Sequence, residues 1–386
     1  MLLTIFTALY NRKAFLSRVY ESLKRQSCHD FEWLVVDDGS TDSPEELIQT
    51  WIDQENRFPI RFFQKENGGK HTAVNLALEK AAGDFFLFLD SDDFLTDHAV
   101  SLLSKWILAL PTDFMQNKLL GVSGQKVNSN GDYLLWRTTN DGRQIPYGGM
   151  PTFDHTLTCT ITERSELYHM RGDCCEVFCT DVLKRYPFPI FPGERFLAED
   201  AIYSPLSKDG WMIEYHKEPL EVCEYQLQGL SFDVEKFLRN PKGWGYVIRV
   251  MECSQEERDE REYGYFQRLR EKLSWQEICE NLGINDELDF RQSMLACCEK
   301  KNRQLPDIDE ALTVYDNIQK QLESIPKESE RYQTVSGILE EVTRLLSALD
   351  IEICVAATTE GTDAAKKLAG QKADRLAEEL QFLKKH

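Results

Sequence analysis

The feature that most constrains the fold is an alternation, over the first hundred residues, of short apolar runs with helical patterns. The apolar runs are LLTIFTAL (2–9), FEWLVVDD (31–38), IRFFQ (60–64) and FFLFL (85–89). Helices are predicted between them, over 13–26, after Pro44, and over 70–82. Continuous apolar strands that alternate with helices indicate a mostly parallel sheet covered on both faces. The sequence therefore predicts an α/β fold.

Three carboxylates follow the fourth apolar run within four positions, at Asp90, Asp92 and Asp93. In open α/β sheets, ligands bind beyond the carboxyl ends of the strands. Carboxylates this close repel one another, and Mg²⁺ or Mn²⁺ can hold them ionised while substrate phosphates fill the remaining coordination sites. The alternative is a solvated loop in which Asp92 or Asp93 only caps the next helix.

Polar side chains also follow the first two strands. Tyr10, Asn11 and Arg12 come after the first strand, and Asp37 and Asp38 after the second. A carboxylate at such a strand end can accept a hydrogen bond from a ribose hydroxyl or a base N–H, although Asp-Gly-Ser is also common in turns.

A glycine pair followed by Lys70 and His71 opens the helix over 70–82. The N-terminus of a helix is a favourable place for an anionic phosphate. The alternative is a plain glycine turn with an exposed lysine.

Net charge, cysteine spacing and the length of the apolar runs argue against several classes of protein. The net charge is −20, and the first 254 residues and the rest of the chain each carry an excess of acids, so neither part offers the basic surface that nucleic acid requires. The eleven cysteines contain no CxxC pair, which favours reduced thiols over disulfides or zinc. No apolar run is long enough to span a bilayer, and the N-terminal segment is typical of a buried strand, so a cytoplasmic location is expected.

Two domains are expected, with a boundary near 230–260. Further strands are predicted at LLGVSGQKV (119–127), YLLW (133–136), WMIEYH (211–216) and LEVCEY (220–225). After residue 231 only helical periodicity is present, with apolar stripes at Ile338, Val342, Leu345 and Leu349 and at Ala373, Leu376, Leu380 and Leu383. Packing within a helical bundle explains these stripes, although a homo-oligomer interface or peripheral contact with the inner face of a membrane is left open.

Taken together, TALYNR, VVDDGSTD, ENGGKHTAVNLAL and FLFLDSDD resemble the family 2 glycosyltransferases of the GT-A fold. The resemblance covers residues 1–230 as a catalytic domain and leaves 231–386 as a helical C-terminal domain. The downstream stretches GDCCEVFCTDVLKRYPFPIFPGERFLAED and EYQLQGLS are similar to bacterial members that build surface polysaccharides. The resemblance implies an inverting hexosyl- or N-acetylhexosaminyltransferase, with a nucleotide-sugar donor, most simply UDP-linked, and a saccharide or lipid-linked acceptor.

The resemblance also implies roles for individual residues. The implied donor-binding residues are Ala8, Tyr10, Asn11, Asp38, Lys70, Asn75, Asp90 and Ser91. Of these, Ala8 and Tyr10 would flank the nucleotide base, and Asp38 would accept from uracil or its ribose. The Mg²⁺ or Mn²⁺ ion that grips the diphosphate would be held by Asp90, Asp92 and Asp93.

The general base is expected in the Glu199-Asp200 pair, with Asp200 as the first candidate and Glu199 as the second. The alternative is that both acids cap the helix that follows. The loop GGMPTFDHT (148–156) is a candidate for the acceptor side.

Other kinds of protein share parts of this pattern, among them a sugar-nucleotide pyrophosphorylase, which would need a glycine-rich loop near its N-terminus. A dehydrogenase needs a GxGxxG turn after its first strand, and TALYNRKAF has no glycine. A non-catalytic nucleotide-sugar-binding or scaffold subunit, acting through the C-terminal helices, would have no need of a catalytic base. Hydrolysis of a UDP-sugar distinguishes that subunit from an enzyme.

Overall fold

The structure is a computed structural model. It describes residues 1–138, 144–146, 153, 155–168, 170–224, 233, 235–323, 325–326, 329–349, 353, 356–358 and 360–385. The chain forms two compact units: the first comprises Met1–Trp136, Pro146–Ser254 and Arg268–Gly283, and the second comprises Arg137–Ile145, Gln255–Gln267 and Ile284–His386. The domain boundary at residue 230 stays a prediction. Most of the loop over 148–156 and of EYQLQGLS lies outside the described residues.

The strands are β1 (Leu3–Leu9), β2 (Phe31–Asp37), β3 (Ile60–Gln64), β4 (Phe85–Phe88), β5 (Phe94–Leu95), β6 (Leu119–Val127), β7 (Leu135–Thr138), β8 (Gln144–Pro146), β9 (Leu157–Cys159), β10 (Arg171–Gly172), β11 (Cys174–Cys179) and β12 (Met212–Val222). The helices are α1 (Leu16–Lys24), α2 (Glu45–Gln54), α3 (Lys70–Lys80), α4 (Ala99–Ala109), α5 (Ile161–Glu166), α6 (Thr180–Leu183), α7 (Asp200–Lys208), α8 (Pro241–Val250), α9 (Gln255–Leu269), α10 (Trp275–Leu282), α11 (Glu287–Glu323), α12 (Glu330–Leu349) and α13 (Thr362–Lys385). A short 3₁₀ turn, Lys13–Phe15, precedes α1.

The main sheet has the order β3-β2-β1-β4-β11-β6-β12-β5, and β9 also pairs with β12. The pairs β3-β2, β2-β1 and β1-β4 are parallel, whereas β11 is antiparallel to both of its neighbours. The sheet is therefore mixed, and it is parallel in the half that β1 to β4 build, as predicted. The chain order reverses between β1 and β4, and such a switch point opens a crevice at the carboxyl ends of the two strands.

The core explains why the fourth strand is so apolar. Phe85, Phe86 and Leu87 of β4 are buried between β1 and β11. Each large apolar side chain that leaves water on folding contributes about 1.5–3 kcal/mol. Burial on both faces of the sheet thus accounts for FFLFL, and the chain turns polar only where the strand reaches the edge of the sheet.

Two strand predictions differ from the structure. WMIEYH and LEVCEY form one strand, β12, whose register against β6 shifts at Pro219. The sequence predicts a break at the charged residues between the two apolar runs. The strand instead continues through them, because its register against β6 shifts there. YLLW begins as an isolated bridge from Tyr133 to Val127, and the regular strand is Leu135–Thr138.

The regular elements described from Pro241 onwards are all helices, as expected for the C-terminal region. Most of the second unit consists of these helices. Its core includes Ile308, Leu312, Tyr315, Leu346 and Ile353. In the predicted stripe on α12, Val342 packs against this core, but Ile338 is 50% exposed. In the stripe on α13, Leu376 and Leu383 are buried.

Two general expectations can be compared with the structure. The ten cysteines of the described ranges are all free thiols, and seven of them are buried, as the spacing predicted. No helix in the described part of the chain has the length and apolar character that crossing a membrane requires.

Candidate active site

Three charged side chains from distant parts of the chain meet at the carboxyl edge of the sheet. Lys70 opens α3, Asp90 follows β4, and Glu199 is the N-cap residue of α7. The Lys70 ammonium lies 2.7 Å from Asp90 Oδ1 and 3.2 Å from Glu199 Oε1. The carboxylate of Glu199 thus contacts Lys70 instead of an amide of its own helix, and the DSDD and AED motifs are joined through one lysine.

The charges of this group support one another. Burial opposes the charged form of Lys70, but attraction to Asp90 and Glu199 outweighs it and holds the pKa of Lys70 well above its ordinary value. Burial likewise favours neutral Asp90, yet the ammonium groups of Lys70 and Lys126 lower the pKa of Asp90 to about 2. Asp90 is therefore ionised at neutral pH, and 41% of its side chain is exposed to solvent.

Asp92 lies beside Asp90 and meets cations from the first part of the chain. Its Oδ2 is 3.9 Å from Arg12 Nη1, and its main-chain oxygen accepts a 2.6 Å hydrogen bond from Arg18 Nη2. Burial and the charge of Asp90 together raise the pKa of Asp92. A divalent cation would relieve this repulsion, and one or two carboxylates are what Mg²⁺ takes from a protein when substrate phosphates supply the rest. Asp90 and Asp92 offer oxygen ligands of the kind that such an ion takes, and metal binding by this pair stays a prediction.

Asp93 has different surroundings. Its Oδ2 accepts a 3.0 Å hydrogen bond from the Cys223 thiol, and the Lys126 ammonium is 3.8 Å away. Burial and the nearby charge of Glu221 raise the pKa of Asp93 to about 9. Metal ligation by Asp93 together with Asp90 and Asp92 stays a prediction.

The buried neighbours of Asp93 form a second group of possible metal ligands. The ligand atoms of Asp93, Glu221 and Cys223 lie within 4.8 Å of one another. The Lys126 ammonium, 2.8 Å from Glu221 Oε1, already supplies a positive charge to this group. The Lys126 ammonium and a proton on Asp93 thus offset part of the negative charge of this group.

Asp38 organises the glycine turn that precedes α3. Its Oδ1 accepts hydrogen bonds from Lys65 Nζ at 2.7 Å and from the amide of Gly68 at 2.9 Å, and its Oδ2 accepts from the amide of Gly69 at 2.7 Å. Asp38 is only 3% exposed. The carboxylate predicted to accept from the nucleotide is therefore engaged by protein donors that fix the start of the Lys70 helix.

Gly69 needs to be a glycine for two reasons. Its φ is +93°, and a Cβ built on it would lie 2.0 Å from the main-chain oxygen of Arg195. The main chain at Arg195 therefore runs directly against this turn, which helps to bring Glu199, four residues later, within reach of Lys70.

Asn75 holds the beginning of the same segment. Its side chain donates to the Phe188 oxygen at 2.8 Å and accepts from the Phe188 amide at 2.9 Å. Further along, Glu194 accepts from the amides of Lys242 and Gly243, both at 2.8 Å, at the start of α8. Asn75 was predicted to line the donor pocket, and here its amide fixes the segment that carries Glu199.

The other predicted donor-binding residues lie at the same edge. Tyr10 is 48% exposed, and Ala8 is half-buried in β1 opposite Val36. Asn11 adopts a positive φ of 53°, and its Oδ1 accepts from the amide of Thr41 at 2.8 Å. Ser91 is buried. Donor binding by these residues stays a prediction.

Sequence reasoning missed three cations of this edge, Arg18, Lys65 and Lys126. Lys126 precedes Glu221 by 95 positions in the sequence, and no local pattern links the two. Arg18 carried a usable signal, because it lies at spacings of four and eight from Ser22 and Gln26 on a helix whose other face is apolar.

The chain is similar to known proteins over its N-terminal part. A family model described as glycosyl transferase family 2 matches residues 4–167. An uncharacterized glycosyltransferase of Haemophilus influenzae is 41% identical over 96 residues, which is 25% of this chain and 38% of that protein. The teichoic acid poly(glycerol phosphate) polymerase of Staphylococcus epidermidis is 38% identical over 100 residues, 26% of this chain and 14% of the polymerase.

A third relative is the poly(ribitol-phosphate) beta-N-acetylglucosaminyltransferase TarS of Staphylococcus aureus, 29% identical over 129 residues, 33% of this chain and 22% of TarS. The chain thus spans less than two fifths of the length of each of these relatives. The α/β sheet, its flanking helices and the helical C-terminal region agree with the predicted GT-A class. Over residues 4–167, the chain is similar to glycosyl transferase family 2.

Proposed function

We propose that the protein transfers a sugar from a nucleoside-diphosphate donor to a saccharide or lipid-linked acceptor during synthesis of a cell-surface polymer. The observation that carries the proposal is the meeting of Asp90, Lys70 and Glu199 beside the β1-β4 crevice. A strand-end carboxylate, a cation and a second carboxylate are the groups needed to bind a diphosphate and to accept a proton from a nucleophile.

The reaction is a single in-line displacement. The acceptor oxygen bonds to the anomeric carbon while the bond from that carbon to the diphosphate oxygen breaks, and the proton of the acceptor hydroxyl passes to Asp200 or Glu199. The anomeric centre inverts, because attack and departure occur on opposite faces. A divalent ion held by Asp90 and Asp92 would neutralise the charge that develops on the leaving diphosphate. Lys70 adds a fixed positive charge beside the same oxygens.

The named relatives suggest the first donor to test. TarS is a beta-N-acetylglucosaminyltransferase and the S. epidermidis relative is a teichoic acid polymerase, so we infer a UDP-linked donor, with UDP-N-acetylglucosamine as the first choice, and an acceptor related to cell-surface polymers. Mn²⁺ and Mg²⁺ are the ions to test.

The assay measures release of UDP from UDP-N-acetylglucosamine with Mn²⁺, with Mg²⁺ and with neither ion. We expect slow hydrolysis that requires a divalent ion, since water replaces the missing acceptor. Metal-dependent binding of UDP without any turnover would instead support a non-catalytic nucleotide-sugar-binding subunit.

The general base is tested by two variants, Asp200→Asn and Glu199→Gln. Removing the base should lower turnover by about 10²–10⁴-fold, the usual contribution of such proton transfer. A variant that loses turnover in this way should still bind UDP with nearly wild-type affinity, measured by calorimetry. Wild-type turnover in both variants would eliminate this pair as the source of the base.

A further inference from the structure

A row of polar side chains on α1 and in the turn after it binds the main chain that follows the aspartate cluster. Arg18 donates to the Asp92 oxygen at 2.6 Å. One turn later, Ser22 Oγ accepts from the Leu95 amide at 3.3 Å. One more turn along, Gln26 donates to the Thr96 oxygen at 2.8 Å and accepts from the Val100 amide at 3.0 Å. This row, Arg18, Ser22 and Gln26, fixes the path of the chain from the aspartates to α4.

Arg18 makes the contact closest to the chemistry. Besides the Asp92 oxygen, its guanidinium donates to Glu224 Oε2 at 2.6 Å and lies 5.0 Å from the centre of the Phe94 ring. Charge-assisted hydrogen bonds of this length are the strong ones, and the planar guanidinium can serve two acceptors at once. Arg18 therefore joins the aspartate loop to the end of β12.

We propose that Arg18 is a positioning residue for the Asp90-Asp92 pair. It fixes the main chain at Asp92, and through that main chain it sets the separation and direction of the two carboxylates that would hold a divalent ion. This inference rests on the proposed function. Groups that orient metal ligands from outside the coordination sphere typically affect metal affinity by about 10–100-fold.

A positioning role and a purely electrostatic role predict opposite results. Arg18 is a cation near two carboxylates, so if only its charge mattered, removing it would strengthen binding of a second cation. If Arg18 positions the loop, removing it weakens metal binding even though the local charge becomes more negative. The sign of the change therefore separates the two roles.

The experiment measures UDP affinity by calorimetry with and without saturating Mn²⁺, for the wild type, Arg18→Met and Arg18→Lys. Arg18→Met should lose at least tenfold in UDP affinity with Mn²⁺ and change less than twofold without it. Arg18→Lys keeps the charge but not the planar fork, and should recover only part of the loss.

The matched control is Arg25→Met. Arg25 lies in the turn after α1 and forms an ion pair with Asp97 at 2.9 Å, where both side chains are well exposed. This variant should bind UDP like the wild type under both conditions. If Arg18→Met does not fold, Glu224→Gln, which weakens the hold on the guanidinium, takes its place, with a smaller loss expected in the same direction.

Several outcomes would overturn the inference. Tighter metal-dependent binding in Arg18→Met, equal losses with and without Mn²⁺, or the same loss in Arg25→Met would each do so. If the wild type binds UDP no better with Mn²⁺ than without it, the metal part of the proposed function fails first, and the inference fails with it.

Discussion

Lys70 is the residue on which the site's charge balance depends. One ammonium contacts both Asp90, at the end of β4, and Glu199, at the start of α7. These carboxylates belong to the two motifs that were expected to do the chemistry. Lys70 was predicted at the donor pocket, but its contact with both carboxylates depends on tertiary structure. A bound diphosphate would compete with both carboxylates for the same cation.

We expect Lys70→Met to lower turnover of UDP-N-acetylglucosamine by about 10²–10³-fold, as loss of one preorganised charge at a developing anion typically does. Lys80→Met, at the other end of α3, is the control, because Lys80 lies over the Phe63 ring instead of the site. Steady-state kinetics with Mn²⁺ measures both variants. Turnover in Lys70→Met within threefold of the wild type would contradict a catalytic contribution.

Individual residues also show where prediction from sequence stops. Asp90, Asp92 and Asp93 look equivalent in the sequence, but the Asp93 carboxylate accepts a hydrogen bond from Cys223, 130 positions later. Asp38 was predicted at the right edge of the sheet, but its oxygens are taken up by Lys65 and by the glycine turn. The positions of these aspartates at the edge of the sheet could be predicted, because each follows a strand. Their hydrogen-bond partners could not, because those partners come from distant parts of the chain.

At the scale of elements, the geometry of the candidate site depends on the contact between α3, with its glycine turn, and the segment that leads to α7. The glycine turn before α3 touches the chain at Arg195, and Asn75 binds the same segment at Phe188. The first four strands and the helices between them were predicted to within a few residues, because apolar period and caps are local signals. The proline-punctuated segment before α7 has no such period, so its course could not be predicted.

Gly69→Ala should destabilise the protein and weaken UDP binding, since the added methyl group meets the Arg195 oxygen and must displace the chain that leads to Glu199. Gly131→Ala is the matched control: Gly131 also has a positive φ, of +86°, but a Cβ there meets nothing within 4 Å. Urea denaturation should show a loss of about 1–2 kcal/mol for Gly131→Ala and clearly more for Gly69→Ala. Equal losses, with UDP affinity unchanged in both, would argue against the close approach.

At the scale of the whole molecule, buried charge makes stability depend on pH. Burial raises the pKa of Glu176 in β11 to about 7, against the opposing influence of Arg164 and Lys126. The folded protein therefore holds this proton more tightly than the unfolded chain, whose glutamate titrates near 4.5. The resulting stability is complete below pH 4.5 and is lost as the pH rises from about 4.5 to about 7.

Glu176→Gln removes this proton from the balance. The free energy of unfolding of the variant, minus that of the wild type, should increase by about 1–3 kcal/mol between pH 4.5 and pH 7. Above pH 7 this difference should stay constant. Chemical denaturation at a series of pH values measures the difference, with Glu46→Gln as a control at an exposed position. A difference that does not vary with pH would mean that Glu176 is ionised throughout this range.

The strand order has a consequence for how the proposed site forms. β11 lies between β4 and β6, and β4 pairs with β1 from more than seventy residues earlier. Such pairings raise the contact order, and loop-closure entropy must be overcome before they form. The crevice is thus completed only when strands remote in the chain have assembled, so we expect a nascent or partly renatured polypeptide to lack the proposed site.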